Sequence, residues 1–170
     1  RWSMTMPPAK KGNSYFNFLA SHDGIGLRPL EGYVDDEELI NMINRMEEFG
    51  GKTSYRISQW GDKVPYEMNI SFLDSMTGTI DKIDDYKVDR FNCAHAIMLS
   101  FEGVPAIYIH SLIGTNNNYD SLNGATNYRS INRYQWNKKK LYNLLNDSET
   151  QNHQILNRLN DLLSIRSKQK

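Results

Sequence analysis

The residues best suited to chemistry are His22 and Asp23, which follow directly on the apolar run Tyr15-Phe16-Asn17-Phe18-Leu19-Ala20. A carboxylate there can stabilise positive charge developing on a sugar ring, and an imidazole beside it can hydrogen-bond a hydroxyl. Catalytic groups of α/β barrels sit at such strand ends. The dipeptide also has an ordinary reading, with Asp23 as a turn former and His22 as a polar residue closing a strand. Arg129 and Arg133, four apart, offer guanidinium groups that can hold hydroxyls, carboxylate or phosphate in bidentate fashion. They serve equally as salt-bridge partners or as anchors for a loop. Tyr66-Glu67-Met68-Asn69 combines an aromatic platform with two polar groups, and standing alone it reads as structural.

Other candidates fail on chemistry or spacing. Cys93 lies within an apolar helical pattern and is expected in the core. His95, His110 and His153 lack metal-ligand spacing with one another, and Gly24-Ile25-Gly26 lacks the third glycine and following helix of a dinucleotide loop. No cofactor and no metal is expected.

These residues need elements to position them. Residues 15–20 read as a short strand buried on both sides, broken off by Ser21-His22-Asp23-Gly24-Ile25-Gly26. Residues 35–49 read as a helix, with Asp35 and Glu38 at capping-box spacing, a stripe of Leu39, Ile40, Ile43 and Met46, and Gly50-Gly51 as the stop. Residues 52–85 are less regular, and 52–58 and 64–71 could be short strands or an inserted subdomain. A second helix is predicted over 86–101, with Asp84 and Asp85 at its positive end. Its apolar residues Val88, Phe91, Ala94, Ile97, Met98 and Phe101 cover a wide arc, so it should be well buried. Another buried strand follows at 104–109, with Pro105 near its start. The Asn-, Gly- and Ser-rich stretch 110–136 is a long loop of the functional kind. Helical segments then close the chain, the last striped by Ile155, Leu156, Leu159, Leu162 and Leu163. Strand, helix, helix, strand, helix is the grammar of a parallel α/β fold, yet two or three strands neither close a barrel nor cover a sheet. The fold is expected to be incomplete on its own.

Composition narrows the class without naming it. The 170 residues carry 20 basic and 20 acidic side chains, a formal net charge of zero, which excludes the basic footprint of a nucleic-acid binder or a polybasic membrane patch. A single cysteine rules out an internal disulfide framework and suits a cytoplasmic location. No apolar run is long enough to span a bilayer. Arg1-Trp2-Ser3-Met4 lacks a signal-peptide core and an initiator Met, which points to a piece of a longer polypeptide.

Taken in order, four stretches resemble glycoside hydrolase family 13, the α-amylase superfamily, in its sucrose-phosphorylase-like branch. Residues 16–26, Phe-Asn-Phe-Leu-Ala-Ser-His-Asp-Gly-Ile-Gly, resemble the seventh barrel strand and its His-Asp region. Residues 101–108, Phe-Glu-Gly-Val-Pro-Ala-Ile-Tyr, are similar to the segment leading into the eighth strand. Tyr66-Glu67-Met68-Asn69 resembles the mobile substrate loop, and Tyr128-Arg129-Ser130-Ile131-Asn132-Arg133 the Arg-containing loop. The resemblance runs from about residue 15 to 136. It implies that residues 1–170 are the C-terminal part of a (β/α)8 TIM barrel, about strands 7 and 8 with their helices, an inserted loop region and an active-site loop at 110–136. It implies that Asp23 is the transition-state stabiliser and that His22, Arg129, Tyr66 and Glu67 bind substrate. The family's nucleophilic Asp and acid/base Glu would lie outside this chain, leaving it inactive alone.

The implied reaction is retaining α-glucosyl transfer from sucrose, sucrose phosphate or glucosylglycerate to phosphate. The partners are thus a small carbohydrate and inorganic phosphate, with no nucleic acid and no membrane. Sucrose phosphorylases proper have Gln where Glu67 stands and lack Leu27-Arg28-Pro29. Those departures lean towards relatives with an anionic acceptor, which Arg28, Lys52, Arg56 and Lys63 could meet. The alternatives are a retaining α-glucosidase or transglucosylase, and a catalytically silent carbohydrate-binding or interaction protein. Exposed strand edges would favour self-association or domain swapping.

Overall fold

A computed structural model describes residues 5–120, 122 and 128–168 of the chain. The reading of residues 1–4 and that of the middle of the 110–136 loop lie outside the described residues. Strand β1 (Phe16–Asn17) runs parallel to the distant strand β5 (Val104–Pro105), Phe16 beside Val104 and Asn17 beside Pro105. The N–H groups of Val104 and Ala106 donate to the carbonyls of Tyr15 and Asn17, both at 2.8 Å. Pro105, which has no N–H, sits where this ladder asks for none.

Both strands are shorter and more exposed than the sequence predicts. Only two residues of each are laddered, and Phe16, Phe18 and Val104 are 65%, 54% and 54% exposed. Each strand has one partner, so among the described residues no second ladder extends it and no layer covers its outward side chains. The predicted end of the second strand turns instead into a short helix, α3 (Ile109–Leu112).

Helix α1 (Asp36–Glu48) starts where its cap dictates. The Asp35 carboxylate accepts the Glu38 N–H at 2.8 Å, and the Glu38 carboxylate accepts the Asp35 N–H at 3.3 Å. Three acids in the first turn favour the same end electrostatically. Gly50, at φ +91°, ends the helix in a conformation that suits glycine. Ile43 is buried against Leu27 and Met68, with Leu39 and Met46 beside them, whereas Ile40 leaves the predicted stripe and stands exposed.

Residues 52–69 form a hairpin of β3 (Lys52–Ile57) and β4 (Lys63–Asn69). The two-residue strand β2 (Ile25–Gly26) pairs antiparallel on its other edge, giving the order β2-β4-β3. The segment after His22-Asp23 is thereby laced to β4.

Helix α2 (Lys87–Ser100) packs on the long last helix, α5 (Gln151–Lys168), around Leu73, Phe91, Ile155 and Leu159. Phe91, Ile155 and Leu159 are fully buried, each worth about 1.5–3 kcal/mol relative to exposure. Phe91, His95 and Met98 share the inward face of α2 at helical spacing. Cys93 and Ile97, four apart on another face, are exposed, so Cys93 is not the core residue the apolar pattern suggests. Asp84 does not simply cap α2; its carboxyl is held below the usual range by paired hydrogen bonds from Arg90 and by the Tyr86 N–H. Helix α4 (Lys138–Asn146) opens on Asn137, whose side chain accepts the Lys140 N–H at 3.1 Å.

One buried carboxylate ties loop to helix. Asp74, in a 3-10 turn after β4, accepts bonds from Lys87 Nζ, the Asn117 N–H and, at 3.2 Å, Asn116 Nδ2. No helix among the described residues is long and apolar enough to cross a membrane.

Candidate active site

His22 and Asp23 lie between β1 and β2, where the parallel pair hands the chain to the antiparallel sheet. Three backbone groups around Asp23 have partners from far along the chain. Arg133 Nε donates to the His22 carbonyl at 3.0 Å, Asn132 Nδ2 to the Asp23 carbonyl at 3.0 Å, and the Gly24 N–H to Glu67 Oε1 at 2.9 Å. The Asp23 N–H bonds the Ser21 hydroxyl at 3.1 Å. Side-chain contacts on Asp23 come from two guanidinium groups on a single 3-10 turn, Tyr128–Asn132, and the residue after it. Arg129 Nη1 lies 3.1 Å and Arg133 Nη2 3.0 Å from Asp23 Oδ1.

Arg129 also grips Glu67. Its Nε and Nη2 donate to the two Glu67 oxygens at 3.1 and 2.8 Å, a fork-on-carboxylate arrangement that is short and directional. The bond to Glu67, Glu67's charge and then Asp23's charge all push the Arg129 pKa up, so the guanidinium stays cationic. Two carboxylates and two guanidinium groups thus balance within one cluster. Glu67 is buried at 4% exposure, whereas the side chains of Asp23 and Arg129 are about one-third exposed, at 33% and 34%.

His22 is turned outward, its side chain 66% exposed and its Nε2 3.6 Å from Asp23 Oδ1, too long for a hydrogen bond. It remains available to a ligand. A cavity of about 330 Å³ opens beside Asp23 and Gly24, with Tyr108, His110, Ser111 and Asn132 among its polar lining. Burial pushes the Tyr108 phenol up and the His110 imidazole down, which favours the uncharged form of each. Among the described residues no group of His, Cys, Asp and Glu could hold a metal ion.

The structure therefore brings together five of the sequence's candidates: Asp23, His22, Glu67, Arg129 and Arg133. Tyr66 precedes Glu67 on β4 and projects on the other side of the strand, 40% exposed, while its carbonyl accepts the Leu27 N–H at 3.0 Å. Of the basic residues offered for an anionic acceptor, Arg56 pairs with Glu31 at 3.2 Å and Lys63 lies over the Tyr55 ring at 4.4 Å. Sequence reasoning missed Asn132, buried and donating to Asp23, and Tyr108, whose hydroxyl donates to the Asn132 carbonyl at 2.8 Å. No spacing signal announces a side chain whose partner is a distant backbone carbonyl.

No protein-family model matches the chain. It is 35% identical to the glucosylglycerate phosphorylase of Escherichia coli over 165 residues, covering 97% of this chain and 29% of that protein. It is 33% identical to the glucosylglycerate phosphorylase of Allomeiothermus silvanus over 167 residues, covering 98% of this chain and 30% of the relative. The fold matches a crystal structure of sucrose 6F-phosphate phosphorylase from Thermoanaerobacter thermosaccharolyticum with a TM-score of 0.73. That match has 21% identity and covers 90% of this chain and 29% of that one. The chain spans about 29% of the length of the curated relatives it matches, and over nearly all of its own length it is homologous to them.

Proposed function

We propose that this homologue of the glucosylglycerate and sucrose phosphorylases supplies the transition-state-stabilising part of a retaining α-glucosyl-transfer site. The observation behind the proposal is the fixing of Asp23, a carboxylate after a parallel strand whose backbone and side chain are held by Asn132, Arg129 and Arg133. In this reading β1 and β5 are neighbouring strands, about the seventh and eighth, of a (β/α)8 barrel. The segment 52–85 is an insertion and 110–136 an active-site loop. Exposed Phe16, Phe18 and Val104 meet the rest of the barrel, or favour self-association in its absence.

The chemistry is a double displacement. A carboxylate outside these residues attacks the anomeric carbon, and a protonated carboxyl group gives its proton to the departing oxygen. Phosphate oxygen then attacks the same carbon, its proton passing to the carboxylate that served as acid, and releases the enzyme nucleophile, giving α-glucose 1-phosphate with retained configuration. Both steps pass through oxocarbenium-like charge. Asp23, preorganised by its ring of donors, interacts more strongly with that charge than with the ground-state sugar. His22 and Arg129 offer donors to ring hydroxyls, and exposed Tyr66 lines the acceptor side. The names of the matched relatives favour glycerate as the acceptor that leaves and returns.

The test is a chimaera in which residues 5–168 replace the matching segment of the E. coli glucosylglycerate phosphorylase. A folded chimaera should form glucose 1-phosphate from glucosylglycerate only when phosphate is present, and the 170-residue chain alone should form none. Release of free glucose at an unchanged rate without phosphate would move the reading to a hydrolase. A folded but inert chimaera would leave an interaction or carbohydrate-binding role.

A further inference from the structure

Glu67 is the most buried charged group of the cluster, and every contact on its carboxylate comes from residues that also hold Asp23. We infer that Glu67 is a positioning residue that fixes Asp23 through the Gly24 N–H and through Arg129, and does not itself contact phosphate or the acceptor. This rests on the reading of Asp23 given above.

Three features carry it. Glu67 Oε1 accepts the N–H of the residue directly after Asp23 at 2.9 Å, so displacing Glu67 displaces the backbone on which Asp23 stands. That contact needs glycine at position 24: a Cβ there would lie 2.9 Å from both Glu67 Cγ and Oε1 and 2.4 Å from the Met68 carbonyl. The second feature is charge. Arg129 and Arg133 both lie on Asp23, and without Glu67 that single carboxylate would have to balance both guanidinium groups, which would compete with a cationic sugar for it. Bidentate contact with Glu67 occupies Arg129 from the other side, so the cluster is neutral and Asp23 keeps its charge for the transition state. The third is exclusion. A buried carboxylate already saturated by an N–H and a guanidinium has nothing to offer an anion, and its charge would repel phosphate.

Glu67→Gln isolates the effect, since the amide oxygen can still accept from Gly24 while its NH2 opposes Arg129. In ¹⁵N NMR of the chain itself, the Gly24 N–H and Arg129 Nε–H resonances should move in Glu67→Gln and hold in Tyr66→Phe. An unmoved Gly24 N–H and Arg129 Nε–H in Glu67→Gln would overturn the inference without touching the proposed function. In the chimaera, Glu67→Gln should lower kcat about tenfold or more, the scale of a lost charge-assisted bond. KM for glucosylglycerate and for phosphate should stay within about twofold. Glu67→Asp, which keeps the charge, should recover part of the rate, and it replaces Glu67→Gln in both assays if circular dichroism shows the latter misfolded. A raised KM for phosphate or acceptor at unchanged kcat would make Glu67 a ligand and overturn the inference. If Asp23→Asn left kcat untouched in the same chimaera, the reading of the site would fail instead.

Discussion

Two glycines two residues apart give a sharp test of how Asp23 is seated. At Gly24 an added Cβ would meet the Met68 carbonyl oxygen at 2.4 Å, and Glu67 Cγ and Oε1 at 2.9 Å; at Gly26 the nearest atom is Pro29 Cδ at 4.0 Å. Neither residue has a positive φ, so the contrast is one of space and not of backbone strain. The Met68 carbonyl belongs to β4, the middle strand of its sheet, and cannot retreat without loosening the pairing with β2 or β3. Overpacking of this kind costs about 1–3 kcal/mol, and straining the Gly24–Glu67 bond adds part of a charge-assisted hydrogen bond. A total of about 3 kcal/mol corresponds to a fall in Tm of about 6–12 °C for a chain of this size. Gly26→Ala, exposed and unobstructed, should stay within about 0.5 kcal/mol of the parent. Thermal unfolding of the two variants followed by far-UV circular dichroism decides the matter. Melting temperatures equal within about 1 °C would refute the close approach of Gly24 to β4 and Glu67.

Two further outcomes follow from single residues. His95 is 1% exposed, and burial depresses its pKa despite the opposing bond to the Phe91 carbonyl. With a folded pKa below the unfolded value of about 6.5, the unfolded chain takes the proton first, so stability is full above that pH and falls as pH drops below it. Half-buried His110, its pKa likewise lowered by burial, adds to the same trend. Tm should thus decline from pH 7.5 to 5.5, and less steeply in His95→Leu; identical slopes would remove His95 from the account. Cys93 is exposed on α2, so a thiol reagent should label it in the folded chain without denaturant. Labelling that required urea would return it to the core.

The parts of the fold legible in the sequence were those set by local interactions. Asp35 and Glu38 announce the start of α1 and Gly50 its end because each acts within a few residues of itself. The stripe of α5 is likewise visible because Ile155 and Leu159 recur at helical spacing. Strand extent was not legible, because a ladder depends on which other strands stand beside it, and Phe16 and Val104 have one another alone among the described residues. Cys93 was misplaced because an apolar arc does not say which of its residues face the neighbour. Within the site, Asp23, Arg129, Arg133 and Glu67 could be marked by type, but the Arg129–Glu67 contact joins residues 62 apart in sequence and the Arg133–Asp23 contact residues 110 apart. The backbone anchor supplied by Asn132 leaves no pattern at all, and the spacing that marks Arg133 does not say that it binds the His22 carbonyl.

The central claim is that Asp23 stabilises positive charge on a sugar ring. Asp23→Asn in the active chimaera keeps size and hydrogen bonding and removes only that charge. It should lower kcat a hundredfold or more, about 3–4 kcal/mol of transition-state stabilisation, with KM for glucosylglycerate little changed. Near-parental turnover by a correctly folded Asp23→Asn chimaera would contradict it.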